Sequence, residues 1–253
     1  MPIALPPTLS PANQARFTEL VRNASGIEVP DVRRSELELA VQQALQDTGA
    51  ADTDALCQLL AGEGGRAALE SLVGALTIGE THFFRNRPQF DALADHILPE
   101  LIARRRVVRQ LRIWSAGCAS GEEAYSLAIL IERLLPDLDQ WQVLILATDI
   151  NRQALVKAQR GVYSQWSFRE VPPDVQATFF TRRGREFDIV PRLRERVTFA
   201  YLNLVEDTYP SLLTHTHTMD LILFRNVLIY FRPAAAHREE LNGLSDPGGL
   251  RDP

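Results

Sequence analysis

Cysteine is scarce in this sequence: Cys57 and Cys118 are the only two in 253 residues. Two isolated thiols exclude a disulfide framework and the paired spacing of a structural zinc site, and they suit a reducing compartment. Basic excess is lacking too. The 27 Lys and Arg face 32 Asp and Glu, for a formal charge of −5. A general nucleic-acid binder shows a basic face, so that class is set aside for the chain as a whole, although a local basic site is not. No apolar run approaches the roughly 20 residues of a membrane span. The start, "MPIALPPTLSP", has neither the basic opening nor the apolar centre of a secretory leader. These absences lead to the expectation of a cytoplasmic protein with no direct membrane insertion. His215 and His217 flank Thr216 without a Cys or acid at ligand spacing, so no metal site is expected. Oligomeric state is left open.

What is present is a hydrophobic share of 45%, enough for a substantial core. Residues 1–11 are proline-rich and expected to be loose. From 12 to 76 the pattern is helical and polar, with turns at Gly26, Gly49 and "GEGG", so a small all-helical domain is expected. Residues 77–106 form a connecting segment that includes a helix, in which Pro99 predicts a kink or a break. From 107 onward the rhythm changes. "LRIWSAG", "VLILATD", "VTFAYLNL" and "DLILFRNVLIYF" are short apolar runs, the first two separated by a helical pattern. This predicts an α/β domain with a doubly wound, mostly parallel sheet. The stretch 161–197 is too long for an ordinary connection and is expected to be an inserted β-subdomain. "RRRVVR" at 104–109 is expected to be a solvated helix end or loop.

"RIWSAGCASGEEAYSLAILI" predicts a strand, a glycine turn at Gly117 and Gly121, and a helix. Such a turn usually cradles a phosphate at the helix N-terminus. Here Glu122 and Glu123 occupy that first turn and would repel a pyrophosphate. No Lys-Ser/Thr follows Gly121, so it is not a P-loop. Asp149 ends the next strand, where doubly wound folds hold ribose hydroxyls. A cationic nucleoside without phosphate suits this pattern, and S-adenosylmethionine is one. Two other readings of these acids stay open. Ser120 and Glu123 form an S-x-x-E capping box, worth about 1 kcal/mol. Asp149 could cap the helix that comes next. Because Asn caps as well as Asp, Asp149→Asn is expected to spare stability and cost ligand affinity.

The segments "ALTIGETHFFRNRPQFDAL", "RIWSAGCASGEEAYSLAI", "ATDINRQALVKAQRGVY", "VTFAYLNL" and "LILFRNVLIYF" occur in that order. Together they resemble the chemotaxis-receptor methyltransferases, the CheR family. The resemblance implies a helical N-terminal domain and a Rossmann-like class I methyltransferase sheet, with the insert as the family's small β-subdomain. It implies methyl transfer from S-adenosyl-L-methionine, leaving S-adenosyl-L-homocysteine, to glutamates in the cytoplasmic domain of a chemotaxis-type receptor. Carried over by motif, Thr81 and Arg85 come from "ETHFFR", with Arg85 near both the methionine part of the donor and the reacting carboxylate. Gly117 belongs to the glycine turn, and Glu123 and Asp149 match cofactor-contacting acids. Asn203 and Leu204 match adenine-side contacts, Arg225 and Asn226 a polar pair before "VLIYF", and Tyr230 a tyrosine near the methyl-transfer point. From the residues themselves, Arg225 and Asn226 interrupt an apolar run, which suggests a strand end facing a ligand. His82 is expected to pack beside Phe83.

The sequence departs from the family pattern in three places. Gly79 stands where asparagine is common. The second helical stretch, "VRRSELELAVQQALQ", carries only Arg33 and Arg34 where several basic residues usually meet an acidic receptor. "PGG" at 247–249 is followed by only "LRDP", so the final hairpin of the sheet is expected to be missing. Two rival functions therefore stand beside the first: a module that binds S-adenosylmethionine or signalling partners without turnover, and a methyltransferase for another acceptor.

Overall fold

The computed structural model describes residues 9–77, 79–206, 208–228 and 231. Caps and left-handed glycines divide its first part into four helices. Helix α1 (Pro11–Ser25) begins at Ser10, whose hydroxyl accepts the Asn13 N–H, and ends at Gly26 with φ 70°. Helices α2 (Arg34–Thr48), α3 (Thr53–Ala61) and α4 (Arg66–Leu76) come after it. Phe17, Val21, Leu37, Val41, Leu56 and Leu72 bury their side chains in a core belonging to these helices. Within the proline-rich start, Leu9 is buried rather than loose. Its N–H donates to Glu38 and its carbonyl accepts from Arg34, so two side chains of α2 hold this backbone. The expectation for residues 1–8 lies outside the described residues.

A rod of α5 (Arg87–Ala92), a π turn (Leu93–Ile97) and α6 (Leu98–Arg105) leads to the sheet. Pro99 lacks an N–H and would crowd the carbonyl four residues back. The chain answers with the π turn, in which the Leu98 N–H reaches the Leu93 carbonyl. Beyond it, Arg105 and Arg106 pair with Asp220 and Asp137, and Val107 is 95% exposed, as a solvated end requires.

Strands β1 (Gln110–Ala116) and β2 (Gln142–Asp149) sandwich helix α7 (Glu122–Leu134) in sequence, and α8 (Arg152–Arg160) comes directly after β2. The insert comprises β3 (Val162–Ser164), α9 (Pro173–Phe179), β4 (Phe180–Arg183), β5 (Glu186–Ile189) and α10 (Pro191–Arg194). The chain then returns to the sheet with β6 (Val197–Tyr201) and β7 (Leu221–Phe224). The main sheet runs β6-β2-β1-β7, all parallel. Both faces are covered: Leu111, Ile113, Ile145 and Ala147 pack on one side, and Trp114, Ala116 and Leu146 on the other. Strand order moves from β1 to β2 to β6, then reverses to place β7 across β1. That reversal opens a crevice beyond the carboxyl ends of the strands, the standard ligand position of a doubly wound sheet.

The insert forms an antiparallel sheet in the order β3-β5-β4. Its core is continuous with that of the main sheet. Phe83, from the connecting segment, stands among Tyr163, Phe168 and Phe180, and Phe168 meets Phe187; ring centroids are 4.7 to 5.2 Å apart. Each such pair contributes about 0.5–1.5 kcal/mol beyond its buried area. No helix among the described residues is long and apolar enough to cross a membrane. The expected loss of a final hairpin concerns residues after Phe231, outside the described residues.

Candidate functional site

The glycine turn at the end of β1 is tight because the chain must reverse beside β7. Gly117 has φ 77°, and a Cβ there would lie 2.3 Å from Cγ2 of Val227. The Gly117 and Cys118 N–H groups both donate to the Thr148 carbonyl, at 2.8 and 2.9 Å. Ala119 is left-handed as well, with φ 47°, a backbone that costs about 1–2 kcal/mol outside glycine. This conformation goes with an N–H donated to Asp149 Oδ2 at 2.7 Å.

Successive helix residues are turned by about 100°, and this separates the two glutamates of α7. Glu123 faces the crevice, where Oε1 accepts from the Ser115 hydroxyl at 2.7 Å and Oε2 lies 3.4 Å from Nη1 of Arg225. Glu122 turns inward and accepts from Ser120 and Ser167. Of the two acids in this first turn, Glu123 is the one that lines the cavity, as expected for a site residue, and Glu122 does not. The capping-box reading fails as well, because Ser120 is not the N-cap. The N-cap is Gly121 and Ser120 donates to Glu122, so Glu123 is not held as a cap and lines the crevice beside Ser115 and Arg225. Asp149 does not cap α8 either; Asn151 does, accepting the Ala154 N–H at 3.0 Å.

Burial raises Glu123 above the ordinary carboxylate value, while the Ser115 hydroxyl and the guanidinium groups of Arg225 and Arg85 pull it back. Burial likewise raises Asp149, opposed by the N–H groups of Asn151, Ala119 and Ile150. Desolvation lowers Arg225, with Glu123 opposing and Arg85 reinforcing the shift. Cys118 is pushed well up by burial and by Asp149 and Glu123, so its thiol stays protonated.

These residues line one cavity of about 260 Å³ at the crevice. The structure brings Thr81, Arg85, Gly117, Glu123, Asp149, Asn203, Leu204, Arg225 and Asn226 together around it. Tyr230 lies outside the described residues. Arg85 sits between two left-handed residues, Phe84 (φ 56°) and Asn86 (φ 67°), and donates to the Glu80 carbonyl at 2.5 Å. Phe84 packs on Phe90, whose ring also lies 5.1 Å below the Arg225 guanidinium. Arg225 Nη2 donates to the Arg85 carbonyl, whereas Nη1 is buried without a hydrogen bond. The Asn203 amide is largely engaged: Nδ2 donates to the Ala24 carbonyl at 2.7 Å and ties the helical domain to the sheet. His82 is buried away from the cavity, with Nε2 3.1 Å from Glu170. Arg33, just before α2, and Arg34, its first residue, pair with Glu36 and Glu38 of that helix.

Sequence reasoning missed part of the wall. Ser25 and Ile27 line the cavity from the helical domain, and Thr77 from the start of the connecting segment. Gly26 sits between the first two, and a Cβ there would lie 2.6 Å from Val205. That glycine was legible as a turn, but its approach to a loop almost 180 residues later was not.

The donor set suits S-adenosylmethionine. Two desolvated carboxylates supply acceptors for ammonium and hydroxyl groups. Arg225 Nη1, which makes no hydrogen bond and lies 3.4 Å from Glu123, is a donor for a carboxylate, and among the described residues that line the cavity there is no lysine for phosphates. A family model described as "CheR methyltransferase, SAM binding domain" matches residues 79–246. The chain belongs to the CheR methyltransferase family. Its cofactor is accordingly S-adenosylmethionine. Over 236 residues it is 31% identical to a probable chemotaxis protein methyltransferase of Rhizobium etli, covering 91% of this chain and 86% of that one. It is 36% identical over 170 residues to the chemotaxis protein methyltransferase of Listeria monocytogenes, covering 67% and 61%. A 104.1 kDa uncharacterized protein of Rhodobacter capsulatus is 32% identical over 232 residues, 91% of this CheR-family chain but 24% of that protein.

Proposed function

We propose that the chain transfers the methyl group of S-adenosylmethionine to glutamate side chains of a chemotaxis-type receptor, forming γ-glutamyl methyl esters. One observation carries this reading: Glu123 and Asp149 share a single crevice with Arg85 and Arg225, two acids for the cationic donor and arginines for anionic groups. When bound, the donor supplies an electrophilic methyl on a sulfonium. Asp149 keeps free lone pairs beside its two backbone bonds and holds the ribose hydroxyls. Glu123 takes the ammonium of the amino-acid end, and Arg225 Nη1 its carboxylate. Arg85 directs the acceptor carboxylate in line, and Tyr230, placed by its motif, shapes the approach. Asn203 and Leu204 border the adenine side, while Thr81 and Asn226 complete the wall.

A glutamate is already ionised near pH 7, so no general base is needed. The acceptor oxygen bonds to the methyl carbon as the carbon–sulfur bond breaks, and the sulfonium and carboxylate charges cancel. A water-poor crevice favours such charge loss, and fixed orientation adds several kcal/mol.

Incubation with methyl-tritiated S-adenosylmethionine and a recombinant receptor cytoplasmic fragment tests the proposal. Label on glutamate that leaves as methanol in base is expected. Base-stable label, or none, would sink it. The engaged Arg33 and Arg34 favour a second reading, transfer to a different carboxylate protein. Base-labile label on another protein, with the receptor fragment blank, would select it.

A further inference from the structure

Glu122 is an ionisable side chain that the reaction does not use, yet it is 3% exposed and fully engaged. Its Oε2 accepts from the Ser120 hydroxyl at 2.8 Å, in the glycine turn. Its Oε1 accepts from the Ser167 hydroxyl at 3.1 Å, in the inserted subdomain. From there the contacts continue to the segment that carries Arg85. The Ser167 carbonyl accepts the Phe83 N–H at 3.0 Å. The Glu122 carbonyl accepts from Ser126, whose hydroxyl in turn accepts the Phe84 N–H at 3.0 Å. The Phe83 and Phe84 N–H groups before Arg85 thus reach the main chain of Ser167 directly and that of Glu122 through the Ser126 hydroxyl. A third strut, from the Tyr163 hydroxyl to the Ser120 carbonyl at 2.9 Å, closes the loop between insert and turn.

We propose that Glu122 is a positioning residue that couples the inserted subdomain to Arg85 and the glycine turn, so that the placement of the subdomain sets how well the acceptor is oriented. The role rests on the methyl-transfer reading above. A carboxylate suits it, because one group accepts from two hydroxyls on different elements and does so most strongly where water is absent. Burial also raises Glu122, with the Ser120 and Ser167 hydroxyls opposing. Trp166, next to Ser167, is 63% exposed and puts the far end of the coupling at the surface.

The full chain and its Glu122→Ala, Glu122→Gln and Ser167→Ala variants would be compared for kcat on a receptor fragment, for S-adenosylhomocysteine affinity by calorimetry, and for Tm. Misplacing a reacting group by about 1 Å costs up to about 100-fold in rate. Glu122→Ala and Ser167→Ala are therefore expected to lower kcat by about 10- to 100-fold, with product affinity held within about threefold. Glutamine can still serve both hydroxyls, so Glu122→Gln restores most of the rate. Because Glu122 acts through Arg85, adding Glu122→Ala to Arg85→Ala lowers the rate little further. Full additivity, unchanged kcat in both alanine variants, or a parallel loss of product affinity would each overturn the coupling.

A second readout needs no turnover. Trp114 and Trp141 are buried, so acrylamide quenching selects Trp166. S-adenosylhomocysteine is expected to change that quenching in the parent chain and not in Ser167→Ala. If wild-type protein binds the product yet transfers no methyl, the functional reading fails and the quenching result alone decides the coupling. An unresponsive Trp166 in the parent then overturns it.

Discussion

Replacing Glu123 by glutamine tests the electrostatic basis of the cofactor site with little change of shape. Glutamine keeps an acceptor for the Ser115 hydroxyl and removes the charge facing Arg225. Two unit charges in contact at an effective dielectric near 20 interact by about 4 kcal/mol. Part of this is cancelled by desolvation, and measured hydrogen bonds to charged groups net about 1.5–3 kcal/mol. Binding of S-adenosylmethionine and S-adenosylhomocysteine should therefore weaken by about 10- to 150-fold, since both carry the amino-acid end. Adenosine lacks that end, so its affinity should change little. Titration calorimetry with all three ligands is the assay, with Tm measured alongside because Arg225 loses its counter-charge. If Glu123→Gln bound S-adenosylhomocysteine within about twofold of the parent, or lost adenosine equally, the ammonium contact assigned to Glu123 would be wrong.

Asp149→Asn is expected to destabilise the fold as well as weaken adenosine, which corrects the expectation from sequence that stability would be spared. Both carboxylate oxygens accept backbone N–H groups, from Ala119 and Asn151, and an amide can accept at only one, leaving a donor short at about 1–3 kcal/mol. Denaturant melts and adenosine calorimetry would show the two losses. Gly117→Ala should cost about 1–3 kcal/mol, because its methyl meets Val227 at a backbone of positive φ. Gly79→Ala meets no atom within 4 Å and has no such φ, so thermal melts should find it neutral or about 0.4–1 kcal/mol more stable. Affinity for S-adenosylmethionine should rise with pH through the raised values of Glu123 and Asp149, above their ordinary 4.5 and 3.8, and then level off. A cation favours the ionised acids, and protonation below that window removes its partners. Glu123→Gln should flatten the profile. For the free protein the sign reverses: ionising these raised acids lowers stability over the same window, and below their ordinary values the effect is absent.

Much of the fold was legible because its signals are local. Left-handed glycines at Gly26 and Gly49 end helices as their positions suggested. The apolar runs became parallel strands because both faces of the sheet are covered. Pro99 announced a disturbance, and only the backbone showed it as a π turn. Leu9 was misjudged because its order comes from Arg34 and Glu38, whose contact no nearby residue type signals.

The site divides in the same way. Sequence alone determined that an acid would end β2, that glycines would turn the chain after β1, and that a polar pair would break the run after β7. Strand register and backbone sterics act on neighbours and leave their mark in residue order. The tertiary structure alone decided which of two adjacent glutamates lines the crevice, because helix rotation and the hydroxyls of Ser120 and Ser167 turn Glu122 inward. It also decided that the end of α1 would wall the cavity, since long-range packing against Val205 and Asn203 depends on surfaces that exist only once the chain has folded.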